Sequence, residues 1–125
     1  MKELTPRERI NQYERDNAGE LAALRATQTF DFDYHERSER WEIATSAIGN
    51  MISMCSHMSG IEEKSTHPDP VLLAKIDRER GAFAREQLDL RFEDDLAVQR
   101  VLDVYCPVIK AHMKELRSQL HRAAP

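Results

Sequence analysis

Residues 34–59 read YHERSERWEIATSAIGNMISMCSHMS, and the spacing of their apolar side chains decides the fold. Tyr34, Trp41, Ala44, Ile48, Met51, Cys55 and Met58 alternate steps of three and four once past Trp41, which places them on one helical face. A second set, Ile43, Ala47, Ile52 and Met54, extends that face sideways. Glu42, Ser46, Asn50, Ser53 and His57 are the polar remainder. A helix apolar around so much of its circumference is expected to be enclosed by several neighbours. Gly49 lies in its interior at a cost of about 1 kcal/mol relative to alanine. With Ala44, Thr45, Ser46 and Ser53 nearby, it is expected to let another helix approach closely. Gly60 is placed to end the helix.

The chain around this helix has 125 residues, within the size range of one domain. An apolar fraction of 41% against a charged fraction of 32% fits a folded soluble chain rather than a disordered one. The alternation expected of strands is nowhere sustained. A net charge of −4 argues against a general nucleic-acid binder, though not against a local basic patch. No apolar run is long enough for a bilayer span, and the first residues lack the apolar core of a signal peptide. Cys55 and Cys106 sit inside apolar helical patterns, as reduced thiols do in a cytoplasm.

Toward the N-terminus, Thr5 suits a helix cap, Pro6 the first helical position, and Glu8 the other half of a capping box. Ile10, Tyr13, Leu21, Leu24 and Thr27 continue helical spacing. Asn17 with Glu20 either caps a fresh helix or makes a polar turn within a continuous one. The expected element is one helix over about 6–28, with a break near Gly19 as the alternative. The hexapeptide Leu4-Thr5-Pro6-Arg7-Glu8-Arg9 resembles the opening of the helix-turn-helix of LuxR-type response regulators. The apolar run, glycine turn and recognition helix that should follow are replaced by Asn11-Gln12-Tyr13-Glu14-Arg15-Asp16-Asn17. The resemblance therefore implies a well-capped helix start and no transfer of function.

The link Thr29–Asp33 carries two exposed-looking phenylalanines, Phe30 and Phe32, and Asp31 or Asp33 is suited to cap the central helix. The i, i+4 pairs His35/Glu39 and Glu36/Arg40 are expected on its surface. A polar connector over 61–69 ends in Asp69-Pro70, a second capped start. The helix that follows, about 70–90, buries Leu72 or Leu73, Ile76, Arg80, Phe83, Gln87 and Leu90. Asp77, Arg78, Glu79, Arg85 and Glu86 are expected to face water. The last helix, about 94–122, carries Val98, Val101, Leu102, Tyr105, Val108, Ile109, Met113, Leu116 and Leu120, and Pro107 should kink or split it. The expectation is an all-α, elongated antiparallel bundle of about four helices in a single domain. The central helix alone would be about 39 Å long, against a radius of gyration near roughly 14 Å for a compact chain of this size.

Chemistry-bearing patterns are sparse. A di-iron bundle needs Glu-x-x-His on two helices; the sequence offers only the reverse order, His112-x-x-Glu115, once. Cys55 and His57 diverge by about 200° around a helix and cannot share a metal directly. The glycines are isolated, so no phosphate-cradling loop is present. His35, His57, His67, His112 and His121 are scattered and read as surface or helix-end residues. No metal, cofactor or catalytic set is therefore expected. Two features point to partners instead. Met51, Met54 and Met58 crowd one end of the central helix, where methionine suits either core filling or helix docking. Lys110, Lys114, Arg117 and His121 form a basic stripe, either a solvated face or a docking strip for an acidic partner or a nucleic-acid backbone. The leading expectation is a cytoplasmic, non-catalytic regulator, adaptor or inhibitor that forms a homodimer or docks a protein partner through helix faces. A dimeric helical DNA-binding regulator using Lys110, Lys114 and Arg117 is the second reading, and a small helical enzyme with a cleft between helices the third.

Overall fold

A computed structural model describes residues 3–123, the side chain of Ala123 excepted, and every regular element among them is helical. In chain order these are α1 (Pro6–Asp16), α2 (Ala18–Thr27), α3 (Tyr34–Glu63), α4 (Pro70–Asp89) and α5 (Asp95–Arg100). A π-helical turn (Val101–Tyr105) follows, and then α6 (Cys106–Ala123). From α5 through α6 the backbone stays right-handed helical, so these three pieces make one continuous rod and the helices number five.

Side-chain chemistry sets the helix starts. Thr5 and Glu8 close a capping box, the Glu8 amide donating to Thr5 Oγ1 and the Thr5 amide to Glu8 Oε1. Asp33, rather than Asp31, caps α3 by accepting from the Glu36 amide at 2.8 Å. Asp69 and Asp94 do the same for α4 and α5. The expected single helix over 6–28 is two. This is the alternative of a break near Gly19: it falls at Asn17, the N-cap position of α2, where the Asn17 side chain turns back onto the Tyr13 carbonyl at 2.9 Å and competes with the next helical turn.

One further expectation is corrected. Gly60 does not end α3, which continues to Glu63; the end comes where the Ser65 amide and hydroxyl both close back onto the Glu62 carbonyl. Around Pro107 the last rod changes helix type without an intervening loop, α6 beginning at Cys106 directly after the π turn. The turn just before it is widened, the Cys106 amide donating five residues back to the Val101 carbonyl, and this π turn absorbs the register change that proline imposes.

The core is centred on Ala44, Ala47, Ile48, Met51 and Cys55 of α3. Ile76 and Phe83 of α4 pack there, with Val98, Val101, Val104, Tyr105 and Val108 of the last rod. Ile10 of α1 and Leu21 of α2 close it. Helices α3 and α4 share the most extensive contact. Gly49 permits it: a Cβ there would meet Gln87 Nε2 at 3.1 Å, and that nitrogen is held by the Thr45 carbonyl at 2.8 Å. Trp41 donates its indole N–H to the Leu90 carbonyl at 2.9 Å, satisfying an acceptor at the end of α4.

Enclosure of α3 is less complete than its sequence suggests. Tyr34 is 77% exposed and lies against Phe92, while Ile43 is 55% exposed. Phe30 and Phe32, expected in the open, are half-buried, with the Arg40 guanidinium 4.0 Å over the Phe32 ring. Arg40 turns to Phe32 and Gln99 rather than to Glu36. His35 and Glu39 do pair, at 3.5 Å on the surface.

Candidate functional site

Two places concentrate polar chemistry, and they differ in kind. The first is the seat of α1 on α4 and the π turn. Glu79 and Glu86, expected to face water, point inward because they share the face of α4 that carries Ile76 and Phe83. Glu79 accepts from the Thr5 hydroxyl at 2.7 Å and from the Arg7 amide at 2.9 Å. Together with the capping box this gives every free backbone donor at the start of α1 a partner. Arg7 lies 4.3 Å over the Phe83 ring and donates to Glu86 and to the Tyr105 hydroxyl, both at 3.3 Å. The fully buried Tyr105 in turn donates to Glu86 Oε1 at 2.5 Å.

Burial, with the Glu86 carboxylate beside it, pushes the Tyr105 phenol above its ordinary value. Burial pushes the neighbouring Cys55 thiol up to about 11. Farther out, Lys75 pairs with Glu8 at 2.8 Å and holds that carboxyl below its usual value, and Arg100 pairs with Glu14 at 2.9 Å. The inner groups, Glu79, Arg7, Glu86 and Tyr105, satisfy one another or the start of α1 between helices, and the outer pairs are half-exposed. They form a clamp that fixes α1, not an open reaction centre.

The second place is a groove of about 300 Å³ between α3 and α6, lined on the α3 side by Asn50, Ser53, Met54 and His57. Ile109, His112, Met113 and Leu116 supply the α6 side. A narrower cleft continues past Met58 and Ile61 to Leu4 and Pro6. The groove exists because α6 outruns its support: beyond Ile109 only His112 and Leu116 are partly covered among residues 110–122. Met113 is 46% and Leu120 72% exposed. His112 was expected at the surface but is half-buried with Nδ1 covered and unpartnered. Burial lowers its pKa, and Arg9 and His57 add to that, while Glu115 and Glu3 oppose it. Arg9 bridges those two carboxylates, at 3.0 Å to Glu3 and 3.2 Å to Glu115.

The sequence-derived candidates divide accordingly. Met51 is fully buried and fills the core, so it is no docking residue. Met54 and Met58 are half-buried and line the clefts. Lys110, Lys114, Arg117 and His121 are exposed and line one continuous surface with Ser118 and Arg122. In the sequence His57 and His112 each lie alone in a segment; only the packing of α3 on α6 brings them into one groove. Among the described residues no group of three or more His, Cys, Asp or Glu is placed to hold a metal ion. No described helix is long and apolar enough to cross a membrane. Protein-family models, curated proteins and solved structures were all compared with the chain, and none matches it.

Proposed function

We propose that this chain is a non-catalytic interaction protein, an elongated antiparallel helical bundle whose α3/α6 groove takes up a helix from another polypeptide. One observation carries the reading: α6 extends past the core with an apolar stripe that α3 covers only in part, leaving Met113 and Leu120 exposed. Ile109, Met113, Leu116 and Leu120 repeat at steps of four, three and four, the spacing that packs one helix on another. Met54, Met58 and Met113 supply the adaptable side chains that suit such a groove. The buried acid–base cluster around Tyr105 is accounted for by holding α1 in place, which leaves an enzymatic reading without a centre of its own.

A second copy of the chain and a different protein are both candidate occupants. The exposed cations of α6 also favour, as a second reading, contact with a nucleic-acid backbone in a dimer. Photo-crosslinking tests the docking reading directly. A benzophenone amino acid replacing Met113 should give a discrete polypeptide adduct, while the same probe replacing Arg78 on α4 gives none. Adducts at both positions, or at neither, would contradict it.

A further inference from the structure

We infer that the occupant of the α3/α6 groove is an acidic amphipathic helix of a different protein rather than a second copy of this chain or a nucleic acid. The inference rests on the docking reading above and adds to it the chemistry of the partner. At about 100° per residue, Arg117, Lys110, His121 and Lys114 fall within roughly 60° of one another, on one side of the Ile109–Met113–Leu116–Leu120 stripe. All four are exposed. The other side carries His112, Gln119 and, farther round, Glu115, whose carboxylate is already paired with Arg9 at 3.2 Å. Opposite α6, the groove's α3 wall presents Asn50, Ser53 and His57, and the nearest carboxylate along it is Glu42, in the adjoining cleft with Lys110. A helix lying in the groove therefore meets an apolar floor with cations along its α6 edge.

A second copy fits this charge pattern poorly. Antiparallel pairing of two α6 stripes would set Lys110 and Arg117 against the same cations of the other chain. Parallel pairing would set them against His112 and Gln119, again with no carboxylate. A nucleic-acid backbone would satisfy the cations but leave Met113 and Leu120 facing phosphate and water. An amphipathic helix with leucine-like residues on one face and Glu or Asp beside them satisfies both.

The test uses the full chain and two labelled synthetic helices with the same leucine spacing, one flanked by glutamates and the other by lysines, followed by fluorescence anisotropy. The glutamate helix should bind saturably and more weakly as salt rises. The double charge reversal K110E/R117E should weaken it by about tenfold and improve the lysine helix. Met113→Asp should abolish binding with the helical circular dichroism unchanged, since that side chain is already 46% exposed. Equal binding of the two helices, no saturable binding of the glutamate helix, or indifference to K110E/R117E would overturn the inference. So would duplex DNA that binds the full chain and is lost in K110E/R117E. A dimer in light scattering that dissociates in Met113→Asp would also overturn it, by making a second copy the occupant, while leaving the groove as a docking surface. Binding of the glutamate helix that Met113→Asp and Leu120→Asp leave untouched would overturn the groove itself.

Discussion

The Tyr105 hydroxyl donates to Glu86 Oε1 across 2.5 Å, joining the last rod to α4 at a point where both side chains also meet Arg7. Charge-assisted bonds of this kind exceed neutral ones in strength, and a buried phenol without its partner costs more than the bond is worth. Tyr105→Phe removes the donor and leaves the ring in place against Phe83. It should destabilise the chain by about 1–2 kcal/mol in urea unfolding. A change within a few tenths would show that Glu86 finds an equivalent partner elsewhere.

Thr5 joins the capping of α1 to its seat on Glu79, and its side chain is 1% exposed. Thr5→Ala removes both bonds and should cost about 2 kcal/mol, the upper end for a cap. Thr27 is exposed and bonds only to carbonyls of its own helix. Thr27→Ala should therefore shift stability by no more than about 0.5 kcal/mol. Equal effects at the two positions would contradict the clamp.

Among the helix-interior glycines, Gly60 and Gly81 have open space where a Cβ would stand, and Gly49 does not. Gly60→Ala and Gly81→Ala should each stabilise by about 0.5–1 kcal/mol. Gly49→Ala should gain less, because its methyl group displaces Gln87 from the Thr45 carbonyl. In a Gln87→Ala background the same substitution should recover the full helix-propensity gain. Thermal melts of the four single variants and the Gly49→Ala/Gln87→Ala double variant check this.

Cys55 has no exposed surface, and its thiol is held up to about 11, whereas Cys106 is only half-buried. A thiol-reactive disulfide reagent should modify Cys106 first and Cys55 only on unfolding. The sign of the linkage follows from the raised value. The folded chain keeps the Cys55 proton at pH values where the unfolded chain, with a thiol pKa near about 8.5, releases it. Stability is therefore fully present below that pH and is lost as pH rises toward about 11. Tyr105, shifted in the same direction, adds to the loss. At the acid end Glu8 and Asp95 are held low by Lys75 and Arg37. Their stabilisation is present above the ordinary carboxylate range and lost as pH falls through the lowered values. A midpoint in urea that rises between pH 9 and 11 would contradict the Cys55 account.

Much of this architecture is legible in the sequence where the determinants are local. Thr5-Pro6, Asp33 and Asp69-Pro70 announce their helix starts because each cap bonds to an amide within three residues. The core face of α3 is visible in its spacing from Ala44 to Cys55. What escapes is set by partners distant in the chain. Glu79 and Glu86 read as solvent-facing until Thr5, Arg7 and Tyr105 are brought to them. Gly60 reads as a stop, but no neighbour crowds it and Ile61-Glu62-Glu63 continue the helix. Pro107 reads as a kink or split, and what the sequence does not show is the π turn that precedes it. The groove was half visible: its methionines and cations stand out in the sequence, but nothing local shows that α6 outruns the core or that His112 is covered.

Hydrogen exchange along the last rod tests the central claim most directly, that residues 110–122 are a helix awaiting a neighbour. In the free chain at micromolar concentration, amides of 110–122 should exchange far faster than those of 98–108, where Val98, Val101, Val104, Tyr105 and Val108 are buried. Adding the glutamate-flanked helix should slow the first group and leave the second unchanged. Equal protection of both groups in the free monomer, or no slowing of 110–122 at saturating peptide, would contradict the account.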